Sequence, residues 1–407
     1  MRRIKVLMIY PEMPTVGIRS FPLGFYTAAT ILCDNDFDVE CLDLSFHSDY
    51  ISAITTNIQQ YSPDLLGFSI CSAKNYKLAI DIIENMELHK QYKIFMGGQH
   101  IHAPMSSNSG LYVPIVGDLE AIEYFYDRKI VYQKSPTSIN YSLVKHPNLY
   151  YPALEVSRGC WNRCKFCNSN NTFFEKDCRK IEDELKALSI LYPRGSILTL
   201  AGSNHLFKNW IKYGLIDILL DYREHFNFSF NLGVESSWND VWDYILRLNP
   251  WNIFVGIDSC DEQTLIRMNK SYQPTLYIQK ASELLDRCKK DGIYTFATYI
   301  YGYPGNTIKD IDKLDGFFIE HACENIIQIG FPCEAYPGTE LLLNRTYYER
   351  QGVVYNRVYP NTMIEYYKLD ISQELKHNHL VYRSKSIYDS VNTKDMYVIS
   401  RCKGKSL

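Results

Sequence analysis

Short apolar runs alternate with amphipathic segments through the first third of this 407-residue chain. Each run is long enough for a buried strand, and each intervening segment carries apolar residues at helical spacing. Strands that alternate with helices predict a parallel, doubly wound α/β sheet. The predicted strands span residues 4–10, 38–43, 65–70, 92–98 and 113–118, and the predicted helices span 22–32, 51–61 and 77–86.

The alternation stops after about residue 128 and resumes at Tyr151. The residues between are polar and interrupted by Pro136 and Pro147, as is typical of a connection between domains. We therefore predict an N-terminal domain over residues 1–128 and a linker over 129–150.

The second half repeats the strand–helix pattern and predicts a partial (β/α)6 barrel over residues 151–343. Active sites of such barrels lie at the carboxyl ends of the strands. A small C-terminal cap is expected over 344–407, with short strands at 353–358 and 396–400 and a partly helical stretch at 363–375. The predicted barrel strands are 151–157, 196–202, 228–234, 251–258, 293–301 and 326–330, and the helices are 181–192, 210–225, 241–248, 279–291 and 311–320.

Composition excludes several classes of protein. Apolar residues make up 46% of the chain and charged residues 22%, which is ordinary for a packed globular protein. The net charge is −3 and no long run of Lys or Arg occurs, so we expect no nucleic-acid partner. No apolar stretch reaches the roughly 18 residues of a membrane span, and no signal peptide is evident. We expect a cytoplasmic protein without a membrane partner.

Three cysteines, Cys160, Cys164 and Cys167, follow the first predicted barrel strand with the spacing C-x3-C-x2-C. Three thiolates can hold three irons of a four-iron cluster and leave the fourth iron open to a small molecule. A structural zinc site is an alternative, but it needs a fourth ligand, usually from a second C-x2-C pair or a histidine pair. The other nine cysteines are scattered singly, so the spacing favours the cluster over zinc or inert thiols.

With Phe166 directly before the third cysteine, this loop resembles the motif of the radical S-adenosylmethionine (SAM) superfamily. The resemblance implies a [4Fe-4S] cluster whose open iron binds the amino and carboxylate groups of SAM. It also implies a donor such as flavodoxin or ferredoxin, whose electron cleaves SAM to methionine and a 5′-deoxyadenosyl radical. That radical abstracts hydrogen from a substrate.

The ends of later strands extend the resemblance. The run 256–259 is similar to the family's Gly-x-Glu-Ser, with Asp258 in place of the glutamate, and residues 268–270 match the run that follows. Residues 301–307 resemble Gly-x-Pro-Gly-Glu-Thr, with Asn306 in place of its glutamate, and 336–341 match a late Pro-Gly-Thr-Glu loop. Glu235, at another strand end, is a contact to SAM or substrate or a solvated carboxylate. The predicted SAM-binding residues are Ala201, Gly202, Ser203, Glu235, Asp258, Ser259 and Tyr301.

In the N-terminal segment, four runs carry a second likeness: residues 21–24, 67–70, 97–100 and 117–120. With these runs the segment resembles the cobalamin-binding domain attached to many radical SAM enzymes. Glycines such as Gly97 and Gly98 let the backbone approach a bulky corrin ring. The D-x-H-x-x-G motif, which supplies a histidine ligand to cobalt in other cobalamin proteins, is absent. The alternative is therefore a Rossmann-like domain that does not bind cobalamin. His100 and His102 are candidate ligands. The predicted cobalamin contacts are Phe21, Leu23, Gly24, Ser69, Ser72, Gly97, Gly98, Gln99, Gly117 and Glu120.

The resemblance implies a cobalamin-dependent radical SAM methyltransferase that C-methylates a small metabolite, in natural-product biosynthesis. The alternative is a radical SAM enzyme that rearranges, cyclises or oxidises its substrate without methyl transfer. An RNA- or protein-modifying methylthiotransferase is less favoured, because Cys33, Cys41 and Cys71 lack the compact spacing of an additional cluster site.

Overall fold

The computed structural model describes residues 2–14, 18–101, 110–115, 131, 136–169, 172–202, 207–235, 238–357 and 367–370. Within these ranges, no helix has the length and apolar character that a bilayer crossing requires.

The N-terminal half contains a parallel five-stranded sheet of order β3-β1-β4-β5-β6, which confirms the doubly wound fold. The strand order reverses between β1 and β4, and ligands of such sheets bind in the crevice at this switch point. The elements are β1 (Lys5–Tyr10), β2 (Arg19–Ser20), α1 (Leu23–Asp34), β3 (Asp38–Asp43), α2 (Tyr50–Tyr61), β4 (Leu65–Ser69), α3 (Ala73–Asn85), β5 (Lys93–Gly97) and β6 (Val113–Pro114).

The second half contains a six-stranded sheet in which β8, β11, β12, β13, β14 and β15 lie in chain order and pair in parallel, as a partial barrel requires. The strands are β7 (Tyr150–Tyr151), β8 (Ala153–Glu155), β9 (Ser157–Arg158), β10 (Phe174–Glu175), β11 (Ser196–Ala201), β12 (Phe226–Asn231), β13 (Asn252–Asp258), β14 (Thr295–Tyr301) and β15 (Ile326–Pro332). The helices are α4 (Cys178–Leu191), α5 (Phe207–Lys212), α6 (Leu215–Asp221), α7 (Trp242–Leu248), α8 (Glu262–Arg267), α9 (Pro274–Lys290) and α10 (Ile308–Glu320).

Two predicted helical segments differ from the structure. The helix expected over 210–225 is divided into α5 and α6, because Gly214 adopts a φ of +78° that ends one helix and begins the next. Residues expected to be partly helical form a strand that pairs antiparallel with two neighbours. The C-terminal elements are β16 (Glu334–Ala335), α11 (Glu340–Leu343), α12 (Arg345–Arg350), β17 (Val354–Arg357) and β18 (Tyr367–Asp370). The strand expected at 396–400 lies outside the described residues.

The barrel strands have an apolar outer face and an inner face of different character. In β12, Phe226, Phe228 and Phe230 are buried against α4, α6 and α7, in the same apolar cluster as most of the outer face. Asn227 and Asn231 alternate with them and point to the inner face. Because side chains alternate between the two faces, the apolar core of the barrel lies between the strands and the helices. The inner face of β12 carries polar side chains that are not part of that core.

The predicted linker packs against the N-terminal domain. Ile139, Val144 and Tyr150 join the apolar cluster beneath α1, and β7 pairs in parallel with β2. The Tyr150 hydroxyl donates a hydrogen bond to the buried carboxylate of Asp43, at the carboxyl end of β3. The domain boundaries at 128, 150 and 343 stay predictions.

A buried ion pair joins the barrel to this connection. The Lys176 ammonium, just after β10, lies 2.5 Å from a Glu184 carboxylate oxygen on α4, and the two side chains are 0% and 3% exposed. Tyr141, in the connection, donates to the other Glu184 oxygen at 3.3 Å. Burial raises the pKa of the Glu184 carboxyl, and the Lys176 charge opposes that shift. The segment that leaves the cysteine loop is thereby fixed to α4.

We expect Glu184→Gln to destabilise the protein by about 3–5 kcal/mol, because it leaves the Lys176 charge buried and unpaired. Chemical unfolding followed by circular dichroism measures the loss. Glu182→Gln is the matched control on the same helix, because its partner Lys186 is exposed and such pairs contribute little. Equal unfolding midpoints for the two variants would contradict the role of the buried pair.

Candidate active site

The cysteine loop is closed at its base by a two-stranded ladder. Strands β9 and β10 pair antiparallel, and Gly159 turns the chain into the loop with a φ of +80°. The rings of Trp161 and Phe173 lie 4.1 Å apart and join the two arms of the loop. The three cysteines are therefore presented at the carboxyl end of β8, where the sequence predicts them.

Two distant segments hold the middle of the loop. The Lys165 amide donates to the Met268 carbonyl at 2.9 Å, and the Lys165 carbonyl accepts from the Leu341 amide at 3.3 Å. The Asn269 side-chain amide donates to the Arg163 carbonyl at 2.8 Å. The segments that the sequence associates with a radical SAM site thus meet around the loop.

Phe166 anchors the same loop through packing. Its ring packs against the apolar cluster that includes Met268, Tyr303, Cys333 and Leu341. Cys333 itself is buried in that cluster, and burial raises the pKa of its thiol. Cys260 is likewise buried with a raised pKa. Both thiols therefore have the environment of small core side chains.

The three loop cysteines form one electrostatic neighbourhood. Cys160 and Cys164 are half-buried and Cys167 is exposed. Burial raises the pKa of the Cys164 thiol to about 12, the Lys270 ammonium lowers it, and the other two cysteines affect it as well. Among the described residues, no three His, Cys, Asp or Glu side chains are placed to ligate a single metal ion. Three cysteines at this spacing can each ligate one iron of a cluster.

Asp258 and Lys270 form a buried ion pair next to these cysteines. Asp258 ends β13 after a register shift, with a φ of +64°, and its carboxylate lies 2.5 Å from the Lys270 ammonium. Burial lowers the pKa of Lys270, but the Asp258 carboxylate outweighs it and the net shift is upward. Lys270 therefore keeps its positive charge within the field of the Cys164 sulfur.

Tyr277 supports the strand end that carries this pair. Its hydroxyl donates to the carbonyls of Gly256 and Ile257 at 3.0 and 3.2 Å. Burial raises the pKa of Tyr277, and the nearby Lys270 charge lowers it. Asp258, a predicted SAM contact, therefore already has Lys270 as its partner. Glu235, another predicted SAM contact, lies exposed in the turn after β12, and its negative charge raises the pKa of Tyr277.

Arg158 is held by a bidentate ion pair. Its Nε and Nη2 atoms donate to the two Glu155 carboxylate oxygens at 2.8 and 2.7 Å. Glu155 is buried on β8, so the pair fixes a positive charge two residues before the first loop cysteine.

The other predicted SAM contacts occupy different environments. Ala201 and Gly202 end β11, and the Gly202 carbonyl accepts from the Asn231 side chain at 2.9 Å. Ser259 is buried, and its hydroxyl accepts from the Asp261 amide at 3.1 Å. Ser203 lies outside the described residues.

The Tyr301 ring lies on the outer face of the sheet, away from the barrel interior. A Cβ built on Gly330 would approach this ring to 1.8 Å, so the neighbouring strand needs glycine here. The loop after Tyr301 is ordered by Asn306, whose side chain accepts from the Tyr303 amide and donates to the Thr264 hydroxyl, each at 2.8 Å. Asn306 therefore shapes the turn.

The carboxyl ends of β4 and β5 approach the cysteine loop. Gly98 has a φ of +115°, and a Cβ there would lie 2.4 Å from the Ile70 carbonyl oxygen. The Gln99 side chain donates to the Cys71 carbonyl at 3.3 Å, and the Gln99 carbonyl accepts from the Asn168 side chain at 3.3 Å. Since Asn168 follows Cys167, this chain of hydrogen bonds joins the cysteine loop to the switch point.

The predicted cobalamin contacts divide into three groups. Gly97, Gly98 and Gln99 lie at the switch-point edge, with Ser69 buried at the end of β4 and Ser72 accepting from the Asn75 amide at 3.2 Å as the N-cap of α3. At α1, Phe21 is buried and stacks on Tyr26, Leu23 is half-buried, and Gly24 is exposed with open space around it. Gly117 and Glu120 lie outside the described residues, as does His102, whereas His100 is buried.

Sequence reasoning missed the side chains that build the switch point. Asn75 donates to the Pro11 carbonyl at 2.8 Å and to the Glu12 carboxylate at 2.9 Å. The Tyr10 hydroxyl and the Cys71 thiol form a hydrogen bond across the crevice, and burial raises the pKa of Cys71. The available signal was their position at the carboxyl ends of β1 and β4, the two strands that flank the crevice, or in the first turn of α3 that follows β4.

Comparisons with known proteins agree with this geometry. Residues 154–318 match the family model of the radical SAM superfamily, and residues 13–123 match that of the B12 binding domain. The chain thus carries a radical SAM domain and, before it, a B12 binding domain. These two families bind SAM with an iron–sulfur cluster and cobalamin, respectively.

Solved structures show the same fold. The chain is similar to the cobalamin-dependent SAM radical enzyme OxsB, with a TM-score of 0.71 and 14% identity over 99% of this chain and 74% of that one. It is also similar to the radical SAM methyltransferase TsrM from Kitasatospora setae, with a TM-score of 0.69 and 14% identity over 89% and 82% of the two chains. An uncharacterized methyltransferase of Pyrococcus horikoshii is 22% identical, covering 84% of this chain and 83% of its own.

In the cluster-free protein, we expect iodoacetamide to modify Cys167 faster than Cys164. Cys167 is exposed, whereas Cys164 is mostly protonated at neutral pH because its pKa is about 12. The Cys164 rate should rise about tenfold per pH unit up to its pKa, and Lys270→Met should slow it at any given pH. Peptide mass spectrometry measures both rates. Equal rates for the two cysteines at neutral pH would contradict the described environments.

Proposed function

We propose that this chain is a cobalamin-dependent radical SAM methyltransferase that methylates a carbon of a small molecule. The hydrogen bond between Asn168 and Gln99 carries the proposal, because it places the cysteine loop against the switch point of the B12 binding domain. Two cofactors that act on one substrate carbon must lie close together, and this contact meets that requirement.

Cys160, Cys164 and Cys167 are the residues that would hold the [4Fe-4S] cluster. When bound, the cluster supplies the electron that cleaves SAM, and cobalamin supplies the transferred methyl group. The protein keeps the loop in place through its contacts to residues 268–270 and 340–341. It also keeps a fixed positive charge, Lys270, beside the Cys164 sulfur.

The B12 binding domain would hold cobalamin at the crevice between β1 and β4. Gly98 is exposed at the edge that faces the cysteine loop, and its positive φ and close approach to the Ile70 backbone require glycine there. Ser72 is engaged as a helix cap and Gln99 as a bridge, so both support the crevice rather than present unpaired donors to a ligand.

A small-molecule substrate is supported by a relative of the same fold. TsrM has been solved with a tryptophan substrate and a SAM analogue, at a TM-score of 0.68. Flavodoxin or ferredoxin as electron donor and a cytoplasmic location complete the proposal. OxsB, described as a radical enzyme, favours radical chemistry without methyl transfer as the second candidate.

The test uses full-length protein reconstituted anaerobically with iron, sulfide and hydroxocobalamin, and SAM labelled in its methyl group. We expect about one cobalt per chain. Turnover of substrate should consume two SAM molecules per product, one giving S-adenosylhomocysteine and the other 5′-deoxyadenosine and methionine. Until a substrate is found, slow SAM cleavage to 5′-deoxyadenosine is the assay. Cys164→Ser should abolish it, and Cys323→Ser, outside the loop, should retain it.

Three outcomes contradict the proposal in different ways. Absence of bound cobalt would reduce the N-terminal domain to a scaffold. Formation of 5′-deoxyadenosine without S-adenosylhomocysteine or methyl transfer would favour rearrangement, cyclisation or oxidation. Unchanged SAM cleavage by Cys164→Ser would exclude the loop as the cluster site.

The charge of Lys270 should raise the reduction potential of the cluster, because a nearby cation stabilises the more negative, reduced state. We expect Lys270→Met to lower the midpoint potential by about 59 mV, which corresponds to a tenfold change in the ratio of reduced to oxidised cluster. Asp258→Asn should raise the midpoint potential. The double variant should lie near the native value. Potentiometric titration followed by electron paramagnetic resonance measures each potential.

Lys313→Met is the control for this series, because Lys313 is ion-paired with Asp261 at 2.8 Å but is largely exposed. Its midpoint should match that of the native protein. Shifts of the same sign in Lys270→Met and Asp258→Asn would indicate disruption of the fold rather than an effect of charge.

A further inference from the structure

The inner face of the barrel sheet is divided into a polar half and an apolar half. The register of the strands aligns one residue from each of the six strands on the same face of the sheet. Ala201 and Asn231 extend the pairing of β11 with β12 by one residue beyond Leu200 and Phe230. This row consists of Glu155, Ala201, Asn231, Phe254, Phe296 and Ile327. The first three strands contribute charged, small and polar side chains, and the last three contribute apolar ones.

The apolar half carries exposed aromatic rings. Phe254 and Phe296 stack at 5.0 Å with 17° between their planes, and Phe254 is 38% exposed. Further along the same face, Phe331 is 51% exposed beside Ile300. On the outer face of β13, by contrast, Val255 is completely buried.

The polar half offers hydrogen-bonding groups across from these rings. Asn231 is exposed on this face, and its amide nitrogen donates to the Gly202 carbonyl. Its side-chain oxygen is the group that could accept a hydrogen bond from a ligand. Glu155 on β8, separated from β12 by β11, forms its ion pair with Arg158 of β9. A molecule between the two halves would therefore meet flat apolar surface on one side and polar groups on the other.

The rings lie on the inner face well below the carboxyl ends of their strands. Phe254 is the third residue of β13 and Phe296 the second of β14, so roughly 13 Å of strand separates Phe254 from Asp258 at the end of β13. Exposed apolar area at the floor of a site also gains stability when a ligand covers it.

We propose that Phe254 and Phe296 bind a flat, apolar ring of the substrate, and that Asn231 receives its hydrogen-bonding part. The substrate class is thus a small amphipathic molecule that contains an aromatic or similarly planar apolar group. This inference rests on the proposed function for the reaction that follows, but the binding itself can be measured without turnover.

The test probes the full-length reconstituted protein with indole, a planar apolar molecule with one donor, and with glucose as a polar comparison. Saturation-transfer NMR gives the affinity of each. Phe254→Ser and Phe296→Ser should each weaken indole binding about three- to tenfold, the range expected for loss of one aromatic contact. Phe254→Leu, which keeps an apolar side chain, should fall between native and Phe254→Ser.

Ile190→Ser is the control, because Ile190 is 85% exposed on α4, outside the inner face. Its indole affinity should equal that of the native protein, and glucose should show no saturable binding. The inference is overturned if indole does not bind the native chain, if it binds the Phe254 and Phe296 variants equally well, or if these variants lose SAM affinity by the same factor. The last result would assign the rings to the adenine of SAM.

Cobalt content and SAM cleavage, measured on the same samples, separate this inference from the proposed function. Normal indole binding without cobalt or methyl transfer would contradict only the proposed function. Normal cofactor chemistry with indole binding unaffected by the Phe254 and Phe296 variants would contradict only the substrate class.

Discussion

The ion pair between Asp258 and Lys270 is the interaction on which the geometry of the active site depends. Two charges that are largely withdrawn from water must satisfy each other, so their side chains have little freedom to move apart. Lys270 directly follows Met268 and Asn269, whose carbonyl and side chain hold the backbone of the cysteine loop. The position of the Lys270 ammonium therefore determines the positions of three segments. These are the carboxyl end of β13, the residues that follow α8, and the loop that carries the three cysteines.

A second constraint joins the two halves of the chain. The cysteine loop is bridged to the switch-point edge through Asn168 and Gln99, and its exit is anchored by the buried pair of Lys176 and Glu184. Tyr141 reaches Glu184 from the connection that also packs on the N-terminal core. The loop thus contacts the N-terminal domain through Asn168, and the segment at its exit is tied through Glu184 to the connection between the domains.

Features encoded by local spacing were predictable from the sequence. The cysteine spacing placed the loop, and the alternation of strands and helices gave the parallel order of both sheets. Contacts between distant residues were not predictable in the same way. The pairing of Asp258 with Lys270 depends on a register shift in β13 and a positive φ, and the outward position of Tyr301 depends on a glycine in the next strand. Spacing within one strand carries no information on either.

The aspartate at position 258 follows from the same geometry. Its left-handed backbone and the preceding register shift bring the carboxylate into direct contact with the Lys270 ammonium, as a charge-assisted hydrogen bond. A glutamate would add a methylene group in a position where Gly256 already lies near both charged groups. The longer side chain would have to fold back or displace the lysine, and with it the charge beside Cys164. The shorter residue is therefore matched to a lysine partner, which explains why this strand end departs from the Gly-x-Glu-Ser pattern while keeping its glycine and serine.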